Sequence, residues 1–340
     1  MGTPLAPFGF VHVVITGATG NIGTSCIAAF AREPAIRQIT AIARHEPKGV
    51  YAKTRFIAAD VGRDDLLPHF LGADAVIHLA WAVQPAHRPE ELARTNIEGS
   101  RRVFEAAARA RAGTLVHASS VGAYSPGFGR MVDESFPTSG VSGATYSEHK
   151  ARVERELDDI EAKNPGLRCV RMRPAFVFKR AAAARIRKLF LGRLVPAAIY
   201  RPGRVPFVPA GLRLQCVHSS DVADAFRRVL LRDVRGAFNV AAEPVLDSSL
   251  VADLLDARVV PIPKAALRAS VALTFHLRLQ PSEPGWIDLA FSSPQLSSGR
   301  ARDVLEWQPR YSAVEAFQEL IDGLYDRAGF ATPPLEPLRG

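Results

Sequence analysis

Short apolar runs alternate with helix-length amphipathic stretches along the first half of the chain. The run at 11–15 ends in a glycine-rich turn, and a helical pattern follows over residues 21–32. Further apolar runs, which predict strands, lie at 39–43, 56–58, 75–79, 115–117 and 168–172. The longest helical patterns cover residues 89–111 and 144–162. Strands that alternate with helices of this length predict an α/β fold with a Rossmann-type, doubly wound parallel sheet.

After Pro174 the periodic pattern weakens and prolines become frequent. A strand-like run returns at 214–218, before a helical pattern over residues 221–231 and a further strand near 237–240. The chain is therefore predicted to leave the sheet and re-enter it. We expect a dinucleotide-binding Rossmann domain and a smaller, irregular C-terminal substrate domain. Their predicted bounds are 10–178 with re-entry at 213–245 for the first, and 179–212 with 246–330 for the second.

Composition narrows the class of protein. The 340 residues are 47% hydrophobic and 23% charged, which are ordinary globular values. The cysteines Cys26, Cys169 and Cys216 are scattered, so they predict no disulfide, no metal site and a reducing, cytoplasmic location. Residues 1–10 lack the features of a secretory signal. No apolar run approaches the roughly 20 residues that would span a bilayer.

The formal net charge of +9 comes largely from arginines that are spread along the chain. This spread argues against a nucleic-acid partner, and a small-molecule substrate is expected instead. The densest basic stretch, residues 179–193, is typical of a solvated helix. A patch for a phosphate or an acidic substrate, and a contact with a membrane surface, stay open as alternatives for that stretch.

The turn after the first strand has a G-x-x-G-x-x-G pattern. Gly17 would permit the tight turn, Gly20 would let the backbone approach a diphosphate, and Gly23 would let the helix pack on the strand. The diphosphate would then lie at the N-terminus of the following helix. Because this pattern stands between an apolar strand and a helix, it predicts a dinucleotide site.

The end of the second strand indicates which nicotinamide cofactor is bound. A carboxylate there would bind the ribose 2′-hydroxyl of NAD, but this strand ends in Arg44, which can pair with a 2′-phosphate. We therefore expect NADP to be preferred over NAD, with a solvent-facing Arg44 as the alternative. After the third strand, Asp60 and Val61 are expected beside the adenine. The alternative for Asp60 is the N-cap of a helix that begins at Arg63.

A serine, a tyrosine and a lysine are the candidate catalytic residues. Tyr146 and Lys150 share one face of a predicted helix, and Ser120 follows the fifth strand, at the edge where parallel sheets bind ligands. Hydride transfer between an alcohol and nicotinamide requires a proton to move on or off the substrate oxygen. A lysine ammonium roughly 4 Å away would lower the pKa of Tyr146 from its usual value of about 10. Ser120 would hydrogen-bond the reacting oxygen.

These residues belong to a series of motifs, which reads TGATGNIG, DAVIHLAW, TNIEG, HASSVGAY, YSEHK and RMRP. In their order and spacing they resemble the extended short-chain dehydrogenase/reductase family, also called the NAD-dependent epimerase/dehydratase family, over about residues 11–245. The resemblance implies that Tyr146 is the catalytic acid/base, Lys150 its partner and Ser120 the hydroxyl that polarises the substrate. It further implies that Asn96 supports a helix and a proton relay, and that Asp221 is the N-cap of the helix after the strand at 214–218. A ligand or a base at His218 is the alternative for that segment. A plain helix-surface amide is the alternative for Asn96.

The expected cofactor contacts combine the glycine turn, the strand ends and the residues that the resemblance implies. They are Gly17, Thr19, Gly20, Asn21, Ile22, Gly23, Arg44, Asp60, Val61, Ala80, Trp81, Lys150 and Pro174. Relatives of this kind often form dimers, and the resemblance implies a homodimer through the helices near 89–111 and 144–162.

Departures from the family's motifs bear on the reaction. The 4,6-dehydratases of the family carry an acidic pair directly after the serine position, where this chain has Val121 and Gly122, so a dehydratase is excluded. Sugar-nucleotide epimerases usually carry an asparagine after the sixth strand to bind the substrate diphosphate, where this chain is rich in phenylalanine. A diphosphate could still be met by basic residues further on, which are Lys179, Arg180 and Arg204.

Aromatic residues predict an apolar substrate pocket. Trp81, Phe176, Phe178 and Phe207 are candidate walls, and packing in an interdomain core is the alternative for each. We therefore expect an NAD(P)-dependent oxidoreductase that reversibly reduces a ketone or aldehyde on a largely apolar substrate. An epimerase that works through a transient keto intermediate is the main alternative. A non-catalytic redox sensor is a weaker one, because such relatives have typically lost the tyrosine that this chain keeps.

Overall fold

The structure is a computed structural model that describes residues 11–84, 86–191, 197–201 and 203–337. The predicted start of the Rossmann domain at residue 10 and the absence of a signal in residues 1–10 lie outside the described residues. So do residues 192–196 and 202 of the predicted substrate domain, which include the end of the basic stretch.

Seven parallel strands form the main sheet, in the order β3–β2–β1–β4–β5–β7–β12, and shorter strands pair outside it. The strands are β1 (Val11–Thr16), β2 (Ile36–Ala43), β3 (Thr54–Ala58), β4 (Ala75–His78), β5 (Thr114–Ala118), β6 (Met131–Val132), β7 (Arg168–Pro174), β8 (Phe176–Phe178), β9 (Phe207–Pro209), β10 (Arg213–Leu214), β11 (Cys216–His218), β12 (Gly236–Val240), β13 (Leu246–Asp247), β14 (Arg258–Val260) and β15 (Gln295–Leu296). The predicted Rossmann-type parallel sheet is confirmed.

Helices cover both faces of this sheet. They are α1 (Asn21–Ala31), α2 (Leu67–Phe70), α3 (Pro89–Ala93), α4 (Gly99–Arg109), α5 (Thr145–Lys163), α6 (Ala183–Ile186), α7 (Ser219–Leu230), α8 (Ser248–Leu255), α9 (Lys264–His276), α10 (Gly285–Ala290), α11 (Gly299–Leu305) and α12 (Ala313–Tyr325). A π-helical turn, Arg94–Glu98, joins α3 to α4. None of the helices in the described part of the chain is long and apolar enough to cross a membrane.

The central strands of the main sheet are largely apolar because both of their faces are covered. In β1, Val13 and Ile15 belong to the core that includes Phe226 of α7, whereas Val14 belongs to the core that includes Phe104 of α4. Alternate residues of a strand point to opposite faces, so one mainly apolar run supplies two cores. This explains why most of the predicted strands were short, mainly apolar runs.

The returning segment differs in two details from the sequence-based expectation. The predicted strand at 214–218 does not join the main sheet, because β12 occupies the edge beside β7, and β11 pairs with β8 instead. Asp221 does not cap α7, whose N-cap is His218. The carboxylate of Asp221 is buried and accepts hydrogen bonds from the backbone N–H groups of Arg310 and Tyr311, each at 3.0 Å.

Candidate active site

A cavity of about 800 Å³ lies at the carboxyl end of the parallel strands, where β1 has β2 on one side and β4 on the other. Ligands bind in this crevice of open α/β sheets because the chain departs in opposite directions on either side of it. Every residue predicted to contact the cofactor lines the cavity. These residues are Gly17, Thr19, Gly20, Asn21, Ile22, Gly23, Arg44, Asp60, Val61, Ala80, Trp81, Lys150 and Pro174.

The glycine turn is packed too closely for side chains at two of its positions. Gly17 has a φ of +72°, and a Cβ there would lie 2.5 Å from the backbone nitrogen of Ala80. A Cβ on Gly23 would lie 2.5 Å from the carbonyl oxygen of Ala18. Helix α1 begins directly after Gly20 with no side-chain cap. Its first N–H groups and the positive end of its dipole are therefore available to an anion such as a diphosphate.

Two buried polar atoms on the cavity wall indicate that a polar ligand belongs there. Asn21 Oδ1 and Trp81 Nε1 have no hydrogen-bond partner among the described residues, and both residues line the cavity. Buried polar groups in proteins are almost always paired, so an unpaired acceptor and an unpaired donor on one wall fit a ligand with polar groups. Together with the glycine turn, they fit a nicotinamide dinucleotide.

Tyr146 is held against the turn that follows β5. A Cβ on Gly122 would lie 2.9 Å from Cε1 of Tyr146, so only glycine lets the ring approach the backbone this closely. Ser147 Oγ donates to the carbonyl oxygen of Gly122 at 2.5 Å and fixes the start of α5 there. Ser120, whose Oγ accepts from the N–H of Gly122 at 3.0 Å, and Tyr146 line the same cavity. The structure therefore brings the predicted serine, tyrosine and lysine together.

Lys150 is buried and held by two groups other than the tyrosine hydroxyl. Its Nζ donates to the carbonyl oxygen of Ala118 at 2.7 Å and lies 3.4 Å from the ring centroid of Trp81. The ring centroid of Tyr146 is 5.9 Å away. Burial holds the pKa of Lys150 well below its usual range, and the Glu154 carboxylate opposes this shift. Trp81, which was expected to contact the cofactor and the substrate, thus also holds the side chain of Lys150 in place.

The expected lowering of the tyrosine pKa is not found in this structure. Burial raises the pKa of Tyr146, and the interaction with the Ser120 hydroxyl only partly opposes this shift. The reason is that desolvation disfavours the phenolate, while the Lys150 ammonium is directed to Trp81 and to Ala118. Tyr146 therefore carries its proton at neutral pH.

Asn96 lies in the π-helical turn between α3 and α4 and is buried. Its side chain makes both hydrogen bonds to the backbone of Ala82, accepting from the N–H at 2.7 Å and donating to the carbonyl oxygen at 2.8 Å. The alternative of a helix-surface amide is therefore wrong. Asn96 fixes the segment that follows β4 and Trp81, and π-helical turns of this kind are frequent at functional sites.

The adenosine end of the cavity carries two arginines. Arg44 is exposed at the end of β2, and Arg185 of α6 lines the same cavity. Neither forms a salt bridge with an acidic residue in the described part of the chain. Burial lowers the pKa of Arg185, and the charge of Arg44 lowers it further, so the two guanidinium groups lie close enough to repel each other. An anion between them would relieve that repulsion.

Asp60 lines the cavity near this end, and its Oδ1 accepts a hydrogen bond from the N–H of Gly62 at 2.8 Å. No α-helix begins at Arg63, since the next helix is α2 at Leu67. The helix N-cap alternative for Asp60 is therefore wrong, and its position suits contact with the adenine.

Aromatic side chains form the opposite end of the cavity. Phe176 and Phe178 line it as predicted. Trp286 of α10 packs between two other rings, tilted to Tyr146 at a centroid distance of 4.9 Å and edge-to-face with Phe190 at 4.7 Å. Phe207 is not a wall residue: it lies on β9, is 43% exposed and belongs to a separate surface. Periodicity gave no means of placing it, because β9 pairs only with another short strand, β14.

Several residues that sequence reasoning missed come from the irregular part of the chain. Phe190, Trp286, Leu320, Leu324 and Leu335 line the cavity. The C-terminal segment also reaches the glycine turn, where Thr332 Oγ1 donates to the carbonyl oxygen of Thr19 at 2.9 Å. No motif marks these residues. A tryptophan in a segment without periodicity was the only available signal.

The basic residues considered for a substrate diphosphate have other roles. Lys179 Nζ donates to the carbonyl oxygen of Asn21 at 2.8 Å and to the hydroxyls of Thr24 and Ser25, so it ties β8 to α1. Arg180 forms a salt bridge with Asp326, and Arg204 is exposed and does not line the cavity. These three residues therefore do not form a diphosphate site.

Comparisons with known proteins agree with this arrangement. The model of the family described as "NAD dependent epimerase/dehydratase family" matches residues 13–241. A ketoreductase of Stigmatella aurantiaca, which acts on a 4-hydroxy-2-methyl-3-oxo-4-farnesyl-3,4-dihydroquinoline-1-oxide, is 28% identical over 77% of this chain and 79% of its own length. An L-arabinose 1-dehydrogenase (NAD(P)(+)) of Haloferax volcanii is 33% identical over 32% of this chain and 41% of its own length.

Solved structures show the same fold at low identity. MoeE5 in complex with UDP-glucose and NAD matches with a TM-score of 0.69 and 19% identity, over 92% of this chain and 98% of its own. The UDP-glucuronic acid 4-epimerase of Bacillus cereus in complex with NAD matches with a TM-score of 0.67 and 13% identity, over 93% and 99%. At these identities the likeness shows the fold alone.

Proposed function

The chain belongs to the NAD-dependent epimerase/dehydratase family, and from this premise we propose that it reduces a ketone or aldehyde group on a largely apolar substrate with NADPH. It is a nicotinamide-dependent enzyme of the extended short-chain dehydrogenase/reductase type. The observation that carries the proposal is the character of the cavity beyond Tyr146. Phe176, Phe190 and Trp286 line the cavity, and Lys179 donates its hydrogen bonds to α1 and so does not offer its charge to a diphosphate.

The proposed mechanism assigns one task to each catalytic residue. When bound, the nicotinamide supplies the hydride. Tyr146 donates its proton to the carbonyl oxygen as that oxygen gains negative charge, and its raised pKa keeps the proton available at neutral pH. Ser120 hydrogen-bonds the same oxygen and orients it. Lys150 and Asn96 hold the Trp81 segment and the strand end in place through Ala118 and Ala82.

Positive charge at the adenosine end supports the preference for NADP. Arg44 and Arg185 both line the cavity and lack acidic partners among the described residues. A 2′-phosphate could accept charge-assisted hydrogen bonds from both guanidinium groups, whereas the ribose hydroxyl of NAD offers no negative charge. Arg185 adds to the sequence-based argument, which rested on Arg44 alone.

The cofactor balance tests the proposed reaction. The enzyme is mixed with NADPH and a panel of apolar ketones and aldehydes, and the nicotinamide absorbance is followed against the amount of alcohol formed. We expect one NADPH oxidised for each alcohol produced. An epimerase would convert a sugar nucleotide with no net change in nicotinamide, and that result together with inactivity on every carbonyl would refute the proposal.

We further propose a homodimer that packs through α4 and α5, and a cytoplasmic location. The two helices pack beside each other, and all three cysteines are buried as free thiols, which suits a reducing compartment. Sedimentation velocity of the purified chain checks the dimer. Charge reversal of Arg101 and Arg152 on the exposed sides of these helices should shift it to a monomer.

A further inference from the structure

Positive charge is concentrated in two segments of the chain. Residues 179–220 and 257–282 together contain 13 lysines and arginines and no aspartate or glutamate. The whole chain has a net charge of +9, so the rest of it carries a net charge of −4. The net positive charge of this protein therefore comes from these two segments, although the arginines are spread along the sequence.

The same segments expose large apolar side chains. Twelve large hydrophobic residues are exposed in the described part of the chain, and six of them lie in these two segments, which make up 68 of 340 residues. The six are Phe207, Val259, Val260, Leu273, Leu277 and Leu279. Leu273 and Leu277 are 61% and 59% exposed and stand one turn apart at the end of α9. Clustered exposed apolar residues mark an interaction surface, whereas isolated ones are ordinary.

Strand pairing and a short connection join part of these segments, residues 203–209 and 258–280, into what we call the basic face. Strands β9 and β14 pair in parallel, with Phe207 beside Arg258 and Val208 beside Val259. Three residues, 261–263, connect β14 to α9. The exposed cations of the face are Arg204, Arg258, Lys264, Arg268 and Arg278. Lys264 and Arg268 share Asp288, and the other three have no acidic partner in the described ranges.

The basic face adjoins the apolar end of the cavity. The segment that follows α9 is hydrogen-bonded to the cavity wall, since Ser282 Oγ donates to the carbonyl oxygen of Phe190 at 2.7 Å. Gln84 Nε2 donates to the carbonyl oxygens of both Leu189 and Pro281. Leu189, Phe190 and Trp286 line the cavity. A ligand held on the basic face would therefore lie beside the aromatic end of the cavity.

We infer that the basic face docks the enzyme on the surface of an anionic lipid bilayer, beside the apolar end of its cavity. The unpaired cations would attract anionic headgroups, and the exposed leucines of α9 would enter the boundary between headgroups and acyl chains. Nucleic acid would use the same cations, but it offers no apolar layer for Leu273, Leu277 and Leu279. This inference is independent of the reaction assigned above.

Co-sedimentation with vesicles tests the inference. The full chain is mixed with vesicles of phosphatidylcholine alone, or of phosphatidylcholine with phosphatidylglycerol. We expect binding only to the anionic vesicles and weaker binding as salt is raised. Arg278→Glu should weaken it at least about fivefold, on the scale of one cation near a charged bilayer. Leu273→Ser with Leu277→Ser should weaken it about tenfold.

Matched controls lie elsewhere on the surface. Arg55→Glu changes an exposed cation of β3, and Leu71→Ser removes a leucine that is also 61% exposed, so both should bind vesicles like the parent chain. NADPH affinity should be unchanged in all variants, because none of these residues lines the cavity. Equal losses in face and control variants, or no binding to anionic vesicles, would overturn the inference. So would displacement by single-stranded RNA combined with no effect of the leucine replacements.

Discussion

The two walls of the cavity are built on different principles. The wall on the main sheet consists of strand ends and a glycine turn, and its side chains are fixed by backbone groups, as Lys150 is by Ala118 and Asn96 is by Ala82. The opposite wall consists mostly of short elements without regular spacing, and rings such as Trp286 and Phe190 hold each other by edge-to-face packing. The proposed catalytic residues therefore lie on the wall whose side chains are fixed by backbone groups.

Polar contacts hold the two walls together at several points. Asn21 Nδ2 donates to the carbonyl oxygen of Val177 at 2.8 Å, Thr332 reaches Thr19, and Thr145 Oγ1 donates to Glu283 at 2.8 Å. Loops and irregular segments tolerate substitution better than the sheet that they cover. The comparison thus predicts that changes on the sheet wall abolish turnover, whereas changes on the opposite wall alter which cofactor or substrate is used.

The largest expected effect is on the sheet wall. Tyr146→Phe removes the proton donor but keeps the ring that packs against Gly122 and Trp286, so turnover should fall by roughly two to four orders of magnitude. NADPH affinity, measured by fluorescence titration, should change little. If the Tyr146→Phe enzyme kept full activity, the idea that the sheet wall carries catalysis and the opposite wall carries selectivity would be wrong.

A smaller effect, on the affinity for NADPH, is expected from replacing Arg44 and Arg185, which line the cavity. Arg44→Gln and Arg185→Gln should each weaken NADPH binding by about tenfold, the lower range for a hydrogen bond to a charged group, and leave NADH binding unchanged. The ratio of the two dissociation constants is the measurement. If Arg185→Gln leaves that ratio unaltered while Arg44→Gln lowers it, only the sheet wall selects the cofactor.

Substrate affinity should respond mainly to the opposite wall. Trp286→Ala removes an aromatic ring beside Tyr146, and KM for an apolar ketone should rise about tenfold with a smaller change in kcat. Phe207→Ala, assayed in buffer without vesicles, is the matched control because Phe207 lies outside the cavity. A larger effect on kcat than on KM would place Trp286 among the residues that position the reacting atoms.

The smallest effect is expected from pH. Because burial raises the pKa of Tyr146, the proton donor stays protonated across the neutral range, and carbonyl reduction should lose rate only above the usual tyrosine value of about 10. The pH profile of kcat/KM checks this, with intrinsic fluorescence to confirm that the chain stays folded. A decline in reduction rate between pH 6 and about 8 would mean that another group controls proton delivery.

Prediction from the sequence succeeded where local spacing and strand order decide the geometry. Gly17 and Gly20 lie in the turn that the pattern predicted and Gly23 in the helix that follows it, and Ser120, Tyr146 and Lys150 line one cavity. Asn96 was assigned only by resemblance, and the structure shows why the amide is needed at that point. Phe207 and Asp221 were misplaced, because a short unpatterned strand and a helix start depend on distant neighbours, here β14 and Arg310.

The amino-acid sequence by itself predicted the parallel sheet, the dinucleotide turn and the three candidate catalytic residues. These features follow from repeating apolar runs and from spacings within single elements, which act over a few residues. Only the tertiary structure decided the direction of the pKa shift of Tyr146, the proximity of Arg44 to Arg185, the ring contact of Trp286 with Tyr146 and the strand pairing in the basic face. Burial, charge proximity and aromatic contact depend on distances between segments far apart in the chain.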